Sequence, residues 1–119
     1  IPLTHRKYAS SAVFVTGHED PEKNEEIVKW KKLAKSVDTI VIMMGLSRIG
    51  IISKQLIEGG MKKSTPVAVI QNGTTPKQKM IVGTLTNIAT KIKKEKMSPP
   101  ANIIIGEVVK LHKTIGWKK

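Results

Sequence analysis

The sequence predicts an α/β domain, three-layer-like, with a mostly parallel or mixed sheet of about five strands and flanking helices. Three observations lead there. Short runs dense in β-branched residues recur, and most stop at a glycine. The stretches between them carry apolar residues three and four apart, the spacing of a helix face. The 119 residues are the length of one domain built round a single core.

The run that organises the rest is residues 38–46, DTIVIMMGL. Ile40 to Met44 is uninterrupted apolar sequence, too short for a helix, which predicts a strand buried on both faces in a parallel neighbourhood. In open α/β sheets ligands gather beyond the carboxyl ends of strands, and a glycine there lets a ligand approach the backbone. Met44 and Gly45 are therefore the first candidate site.

In chain order, residues 12–16 (AVFVT) predict a short buried strand ending at Gly17, and residues 18–24 (HEDPEKN) a solvated loop. Residues 25–36 carry Ile27, Trp30, Leu33 and Ala34 at helical spacing, with acids early and lysines late as the helix dipole prefers, and Trp30 is expected to pack on the sheet. After the strand at 40–44 comes a helix over 47–58, with Ile49, Ile52 and Leu56 as its buried stripe. Ser47 is its expected N-cap and Gly59-Gly60 its C-cap.

Residues 65–71 (TPVAVIQ) predict a strand with Pro66 at its first position, where no ladder N–H is needed. It ends in Asn72-Gly73-Thr74-Thr75-Pro76, a second glycine-bearing strand end and the second candidate site. Residues 79–82 predict a strand and Leu85, Ile88, Ala89 and Ile92 a helix. Ser98-Pro99-Pro100 breaks the chain before a last strand at 102–105, and residues 107–119 have room for a short helix. Strands alternating with helices predict βαβ units.

Charge and composition narrow the function. Lys and Arg number 21 against 9 Asp and Glu, a net +12 and a pI near 10.1, which predicts affinity for a polyanion: nucleic acid, an acidic membrane, or a polycarboxylate or phosphorylated small molecule. Many lysines (Lys29, Lys31, Lys32, Lys35, Lys91, Lys93, Lys94, Lys96) fall on expected helix exteriors, where a solvated face explains them. One Phe, one Tyr and two Trp do not make the stacking platforms that single-strand binders use. The absence of cysteine excludes disulfides and thiolate chemistry within these residues. No apolar stretch approaches the ~20 residues of a membrane helix, so a cytoplasmic setting is expected. The opening Ile-Pro-Leu reads as mid-protein sequence, and a fragment of a longer chain is expected.

Motifs for phosphate-binding loops (GxGxxG, GxxxxGK[ST]) and for a nucleophile elbow are absent, since Gly45-Leu46-Ser47-Arg48-Ile49 does not match GxSxG. His5, His18 and His112 are too scattered to predict a metal site. No pair of acids sits near a strand end, so no catalytic residue is assigned. The ordinary reading of Gly45 and Gly73 is that a strand-ending turn needs positive φ.

Six stretches carry a resemblance: PLTHR (2–6), VTGHE (15–19), MGL (44–46), TPVAVIQNGTTPKQ (65–78), VGTL (82–85) and PAxIIIGEVV (100–109). In this order, over essentially the whole chain, they resemble the C-terminal domain of the uroporphyrinogen-III C-methyltransferases, within the tetrapyrrole methylase family. The resemblance implies an S-adenosyl-L-methionine-dependent enzyme that methylates uroporphyrinogen III twice, to precorrin-2, for siroheme and cobalamin. It also implies a homodimer of two-domain chains with the ligands in the cleft between domains. The family's GxGDP motif and proposed proton-transfer residues belong to the first domain, so residues 1–119 alone are expected to be inactive.

By the same resemblance, Met44 is implied beside donor and macrocycle, and Gly73 where backbone meets the donor's adenosine. Gly45, Thr74, Thr75 and Pro76 are the further cofactor candidates. Arg6, with His5 and Thr4 beside it, is implied as substrate-facing, where a guanidinium suits the carboxylates of the macrocycle. The chain departs from many relatives at Met43, where an aromatic residue is common, and at His112, where an arginine is. Two other classes remain as alternatives, a basic nucleic-acid-binding module and a non-catalytic scaffold or dimerisation domain.

Overall fold

The computed structural model describes residues 1–17 and 28–115. In chain order the elements are β1 (Ala12–Thr16), α1 (Trp30–Ser36), β2 (Thr39–Met43), α2 (Ile49–Glu58), β3 (Pro66–Gln71), β4 (Lys79–Thr84), α3 (Ile88–Lys94), β5 (Ala101–Ile105) and α4 (His112–Ile115). Single 3₁₀ turns at Leu46–Arg48 and Glu107–Leu111 lead into α2 and α4. Among the described residues no helix is long and apolar enough to cross a membrane.

The five strands form one mixed sheet in the order β1-β2-β5-β3-β4. Only β1 and β2 pair in parallel; β5 runs antiparallel to both β2 and β3, and β3 antiparallel to β4. The expectation of repeated βαβ units therefore holds once, at β1-α1-β2. The reason lies in connection length: seven residues join β3 to β4, and a parallel return needs a dozen or more. The middle strand is β5 rather than β2. Both are apolar runs, and the sequence could not rank them, because two-sided burial is decided by which strand is inserted between others.

One face of the sheet carries Ile40, Ile42, Val67, Val69, Ile103 and Ile105, packed against Trp30 of α1, Ile49, Ile52 and Leu56 of α2, and Ile88 and Ile92 of α3. Trp30 is 2% exposed, so it packs on the sheet as its position predicted. The opposite face has a thinner cover: Val41, Ala68 and Ile104 meet Val108 and Val109 of the second 3₁₀ turn and Ala9 of the N-terminal segment. That cover stops short at one corner, where Phe14 and Met43 are exposed.

Element ends depart from the sequence reading in physical ways. Val28 and Lys29 are not helical and α1 begins at Trp30, while the expected start at Glu25 and the loop over 18–24 lie outside the described residues. Ser47 does not cap α2; it sits inside the 3₁₀ turn, and Arg48 precedes the helix without a side-chain cap. The C-terminal end agrees with expectation. Gly60, at φ +110°, lets its N–H reach the Ile57 carbonyl and the Met61 N–H reach that of Leu56, both at 3.0 Å. This double bond pattern closes the helix in the manner favoured by glycine just past the last turn.

Candidate functional site

Strand directions decide what the sheet brings together. Since β1, β2 and β3 run the same way, their carboxyl ends reach one rim, joined there by the start of β5. Asn102 pairs in register with Met43 on one side and with Ile70 on the other. At the usual strand spacing the ends of β2 and β3 are thus about 10 Å apart, with β5 between them. Met44-Gly45 and Asn72-Gly73, chosen from separate stretches of sequence, are neighbours on the same edge.

The backbone at both ends is strained, though not at the glycines. Met44 has φ 57°, Asn72 φ 51° and Thr74 φ 65°, left-handed values that cost an L-residue about 1–2 kcal/mol. Gly45 has φ −115°, and Gly73 is not among the positive-φ residues. The turn explanation for these glycines therefore gives way to a steric one. A Cβ on Gly45 would fall 2.5 Å from Cγ2 of Ile42, so the chain needs glycine there for packing. A Cβ on Gly73 would meet only Cγ2 of Ile70, at 3.2 Å. That contact is tight, so Ile70 would have to give by a few tenths of an ångström, but no other atom lies within 4 Å of the added Cβ.

The loop after β3 is tied to itself and to the start of β5. The hydroxyl of Thr74 donates to the Gly73 carbonyl at 2.6 Å and that of Thr75 to the Asn72 carbonyl at 2.7 Å. The Thr74 N–H donates to Oε1 of Gln78 at 2.8 Å. The protons of both hydroxyls are engaged inside the loop, so Thr74 and Thr75 shape it. Pro76 continues the same turn. Asn72 N–H donates to the Pro100 carbonyl at 3.0 Å, and Ser98 N–H to Oε1 of Gln71 at 2.8 Å, fixing the Ser98–Pro100 turn against β3.

That turn borders a groove of about 1250 Å³, lined by residues 43–47 after β2, 49–51 of α2, Ala89, Ile92 and Lys93 of α3, and residues 97–102. Its walls are mainly apolar, and among the described residues Lys93 is the one charged residue that lines it. Met44, 65% exposed, stands at the mouth. Residues 97–102 escaped the sequence reading as a site. The signal was Ser98-Pro99-Pro100 directly before a strand, which reads equally well as a plain chain break.

Arg6 and His5 are placed elsewhere. They belong to a tight turn closed by the His5–Ala9 bridge, in which His5 Nδ1 accepts the Lys7 N–H at 3.2 Å. The turn is anchored by Ala9, buried beside Val108 and Val109, and by Ser10, whose N–H and hydroxyl donate to Oδ2 of Asp38 at 2.9 and 3.1 Å. Asp38 precedes β2, whereas Met44 follows it, so the anchor and the rim are separated by the length of that strand and its flanking residues, about 20 Å. Within this chain the structure does not bring Arg6 and His5 to Met44 and Gly73.

Comparison with known proteins follows the same lines. Residues 1–89 match the family described as Tetrapyrrole (Corrin/Porphyrin) Methylases. The chain is 46% identical over 119 residues to an S-adenosyl-L-methionine-dependent uroporphyrinogen III methyltransferase of Methanosarcina barkeri, covering 100% of this chain and 47% of that protein. It is 48% identical over 117 residues to a siroheme synthase of Nitrosomonas eutropha, covering 98% of this chain and 24% of that protein. Among solved structures, a uroporphyrin-III C-methyl transferase of Thermus thermophilus complexed with S-adenyl homocysteine superposes with a TM-score of 0.77 at 31% identity, over 92% of this chain and 46% of that one. The chain thus spans about half the length of the methyltransferases it matches, and about a quarter of the siroheme synthase.

Proposed function

Because this chain belongs to the tetrapyrrole (corrin/porphyrin) methylases, we propose that it forms one wall of the donor and substrate cleft of an S-adenosyl-L-methionine-dependent uroporphyrinogen-III C-methyltransferase. In this reading residues 1–119 are the C-terminal domain, and an N-terminal domain of the same protein supplies the opposite wall. The protein would form precorrin-2 and act as a homodimer. The observation that carries the reading is the shared rim. Two strand ends, each with a left-handed non-glycine residue beyond it, flank the start of β5, and the β2 end opens onto an apolar groove.

The residues present fit a nucleoside-bearing methyl donor. Gly73 leaves uncovered backbone on which a flat ring can rest, and Gly45, Thr74, Thr75 and Pro76 hold the loops on either side in shape. The bound donor supplies an electrophilic methyl group on a sulfonium centre. Met44 would border it, presenting a soft, apolar side chain at the groove mouth. An electron-rich ring carbon needs little acid–base help to accept methyl, so the chain's contribution is to place and orient its ligands. No residue here is assigned a proton-transfer role, and the chain on its own is proposed to have no turnover. Arg6 is proposed to pair with a carboxylate arm of the macrocycle, away from the reacting carbon, with His5 as the support of its turn.

Met44 gives the sharpest test. Met44→Gly in the full-length protein relieves a left-handed backbone strain and should raise stability by about 1 kcal/mol. It should also weaken binding of S-adenosylhomocysteine severalfold in calorimetry, because the side chain at the mouth is lost. Unchanged affinity would remove Met44 from the donor site.

A further inference from the structure

The rim that carries the candidate site is also a corner of concentrated positive charge. Residues 72–102 contain six lysines and one acid, Glu95. Topology gathers them there: β4 runs antiparallel to β3, starting opposite Gln71 at the rim, and α3 then returns the chain to the start of β5. Two hydrogen bonds hold the corner together. Lys79 Nζ donates to the Glu95 carbonyl, and the Ser98 N–H to Oε1 of Gln71, so the last turn of α3 lies between the groove and the loop over 72–78. Of the six lysines, Lys79 is engaged in this way and Lys91 donates from Nζ to the Val82 carbonyl at 2.9 Å. The other four, Lys77, Lys93, Lys94 and Lys96, are exposed, and their ammonium groups have no partner among the described residues. Lysines at a helix end favour its dipole, yet the end of α3 is already closed: the Met97 N–H reaches the Ile92 carbonyl at 3.0 Å and the Lys96 N–H that of Lys93 at 3.2 Å. Lys96 makes this cap at φ 53°, in the position where Gly60 closes α2, so a lysine is held where glycine would be unstrained.

We infer that Lys77, Lys93, Lys94 and Lys96 form a capture patch for the carboxylate arms of the macrocycle, drawing a polyanionic substrate to the groove mouth. The inference rests on the substrate reading given above. Uroporphyrinogen carries acetate and propionate arms around its whole ring, so Arg6, at the far end of β2, serves arms on one side only. Lys93 lines the groove itself. Residues 93–96 span about one helical turn, ~5 Å, well inside the screening length of about 10 Å at 0.1 M salt. An approaching anion therefore meets three lysines less Glu95 as a single charge of +2. Flexible ammonium groups hold such arms without fixing one orientation, unlike a bidentate guanidinium. A nucleic acid would answer the same charge, but no aromatic side chain among the described residues lines the apolar groove beside it, where a base would stack.

The test is steady-state kinetics of the full-length protein over a range of ionic strength, with uroporphyrinogen III as the varied substrate. For the wild-type protein kcat/KM should fall at least about tenfold between about 0.02 and about 0.5 M salt, as screening removes the attraction. Lys93→Gln, Lys94→Gln and Lys96→Gln together should lower kcat/KM at low salt about tenfold, through KM, and flatten its salt dependence. A matched control, Lys35→Gln, Lys62→Gln and Lys63→Gln, removes the same charge from the far end of the domain and should cost less than about twofold. Should the rim triple variant fail to fold, Lys96→Gly relieves the strained cap, should melt at a higher temperature, and should still lose about twofold in kcat/KM at low salt. Equal effects of the two triple variants, or wild-type kinetics in either folded rim variant, overturn the patch. So does a rim variant that loses affinity for a DNA duplex while keeping its KM for the macrocycle. Failure of the wild-type protein to turn over the macrocycle overturns the substrate reading itself, and the patch with it.

Discussion

Gly17 and Gly45 meet so closely that a Cβ built on Gly17 would fall 2.5 Å from the Cα of Gly45. Gly17 N–H also donates to the Met43 carbonyl at 2.7 Å, so the end of β1 is clamped to the turn after β2. The left-handed residue Met44 lies within this clamp. Two glycines separated by 28 positions thus hold the rim in a shape that local sequence alone would not select.

Gly17→Ala should push backbone against backbone and destabilise the protein by about 1–3 kcal/mol, the usual cost of overpacking. Urea denaturation measures this. Because the displaced atoms belong to the Met44 turn, the variant should also bind S-adenosylhomocysteine more weakly, even at temperatures where it is fully folded.

Gly73→Val separates a ligand contact from a folding requirement. The new Cβ would approach only Cγ2 of Ile70, at 3.2 Å, so stability should change by less than about 1 kcal/mol. Affinity for S-adenosylhomocysteine should nevertheless fall at least about tenfold, since the branched side chain occupies the space over the loop backbone. A stable variant with normal affinity would place the donor elsewhere.

Arg6→Ala should leave S-adenosylhomocysteine affinity unchanged and raise KM for the macrocycle several-fold, because its turn is anchored at the opposite end of β2 from the rim. Steady-state kinetics with the full-length protein, paired with calorimetry, reads the two effects separately. Equal loss of both would show that the turn supports the fold instead.

Asp38 supplies a pH dependence. The Ser10 N–H, then the Ser10 hydroxyl, hold its carboxyl below the ordinary carboxylate value, with Ser11 adding to the effect against a small opposing cost of burial. A folded pKa below the unfolded one means a contribution present above about pH 4 and lost as pH falls through the folded value. Acid titration of stability should therefore show a steeper fall in the wild-type protein than in Asp38→Asn, which removes the titrating group. The exposed position keeps the difference small.

The sequence by itself determined where the strands are and which residues end them. Apolar runs such as Ile40–Met43 and the three isoleucines of β5 are too short and too β-branched for helices, whatever surrounds them, and β1 has the bounds its sequence predicted, although as an edge strand it is only partly buried, with Phe14 exposed, where a buried strand was expected. The family resemblance was legible for the same reason, because its motifs are local and lie at strand ends. Strand order and direction were decided only by tertiary packing. Inserting β5 between β2 and β3 is a choice among similar apolar strands, settled by two-sided burial and by the short β3-β4 connection. That insertion sets Met44 and Gly73 on one rim, puts Asn102 between them, and leaves Arg6 at the other end. The strain at Met44 follows from it too, since the φ of a methionine there is imposed by the neighbours that clamp the turn and not by its own side chain, whereas Asn72 is a residue type that adopts left-handed φ readily.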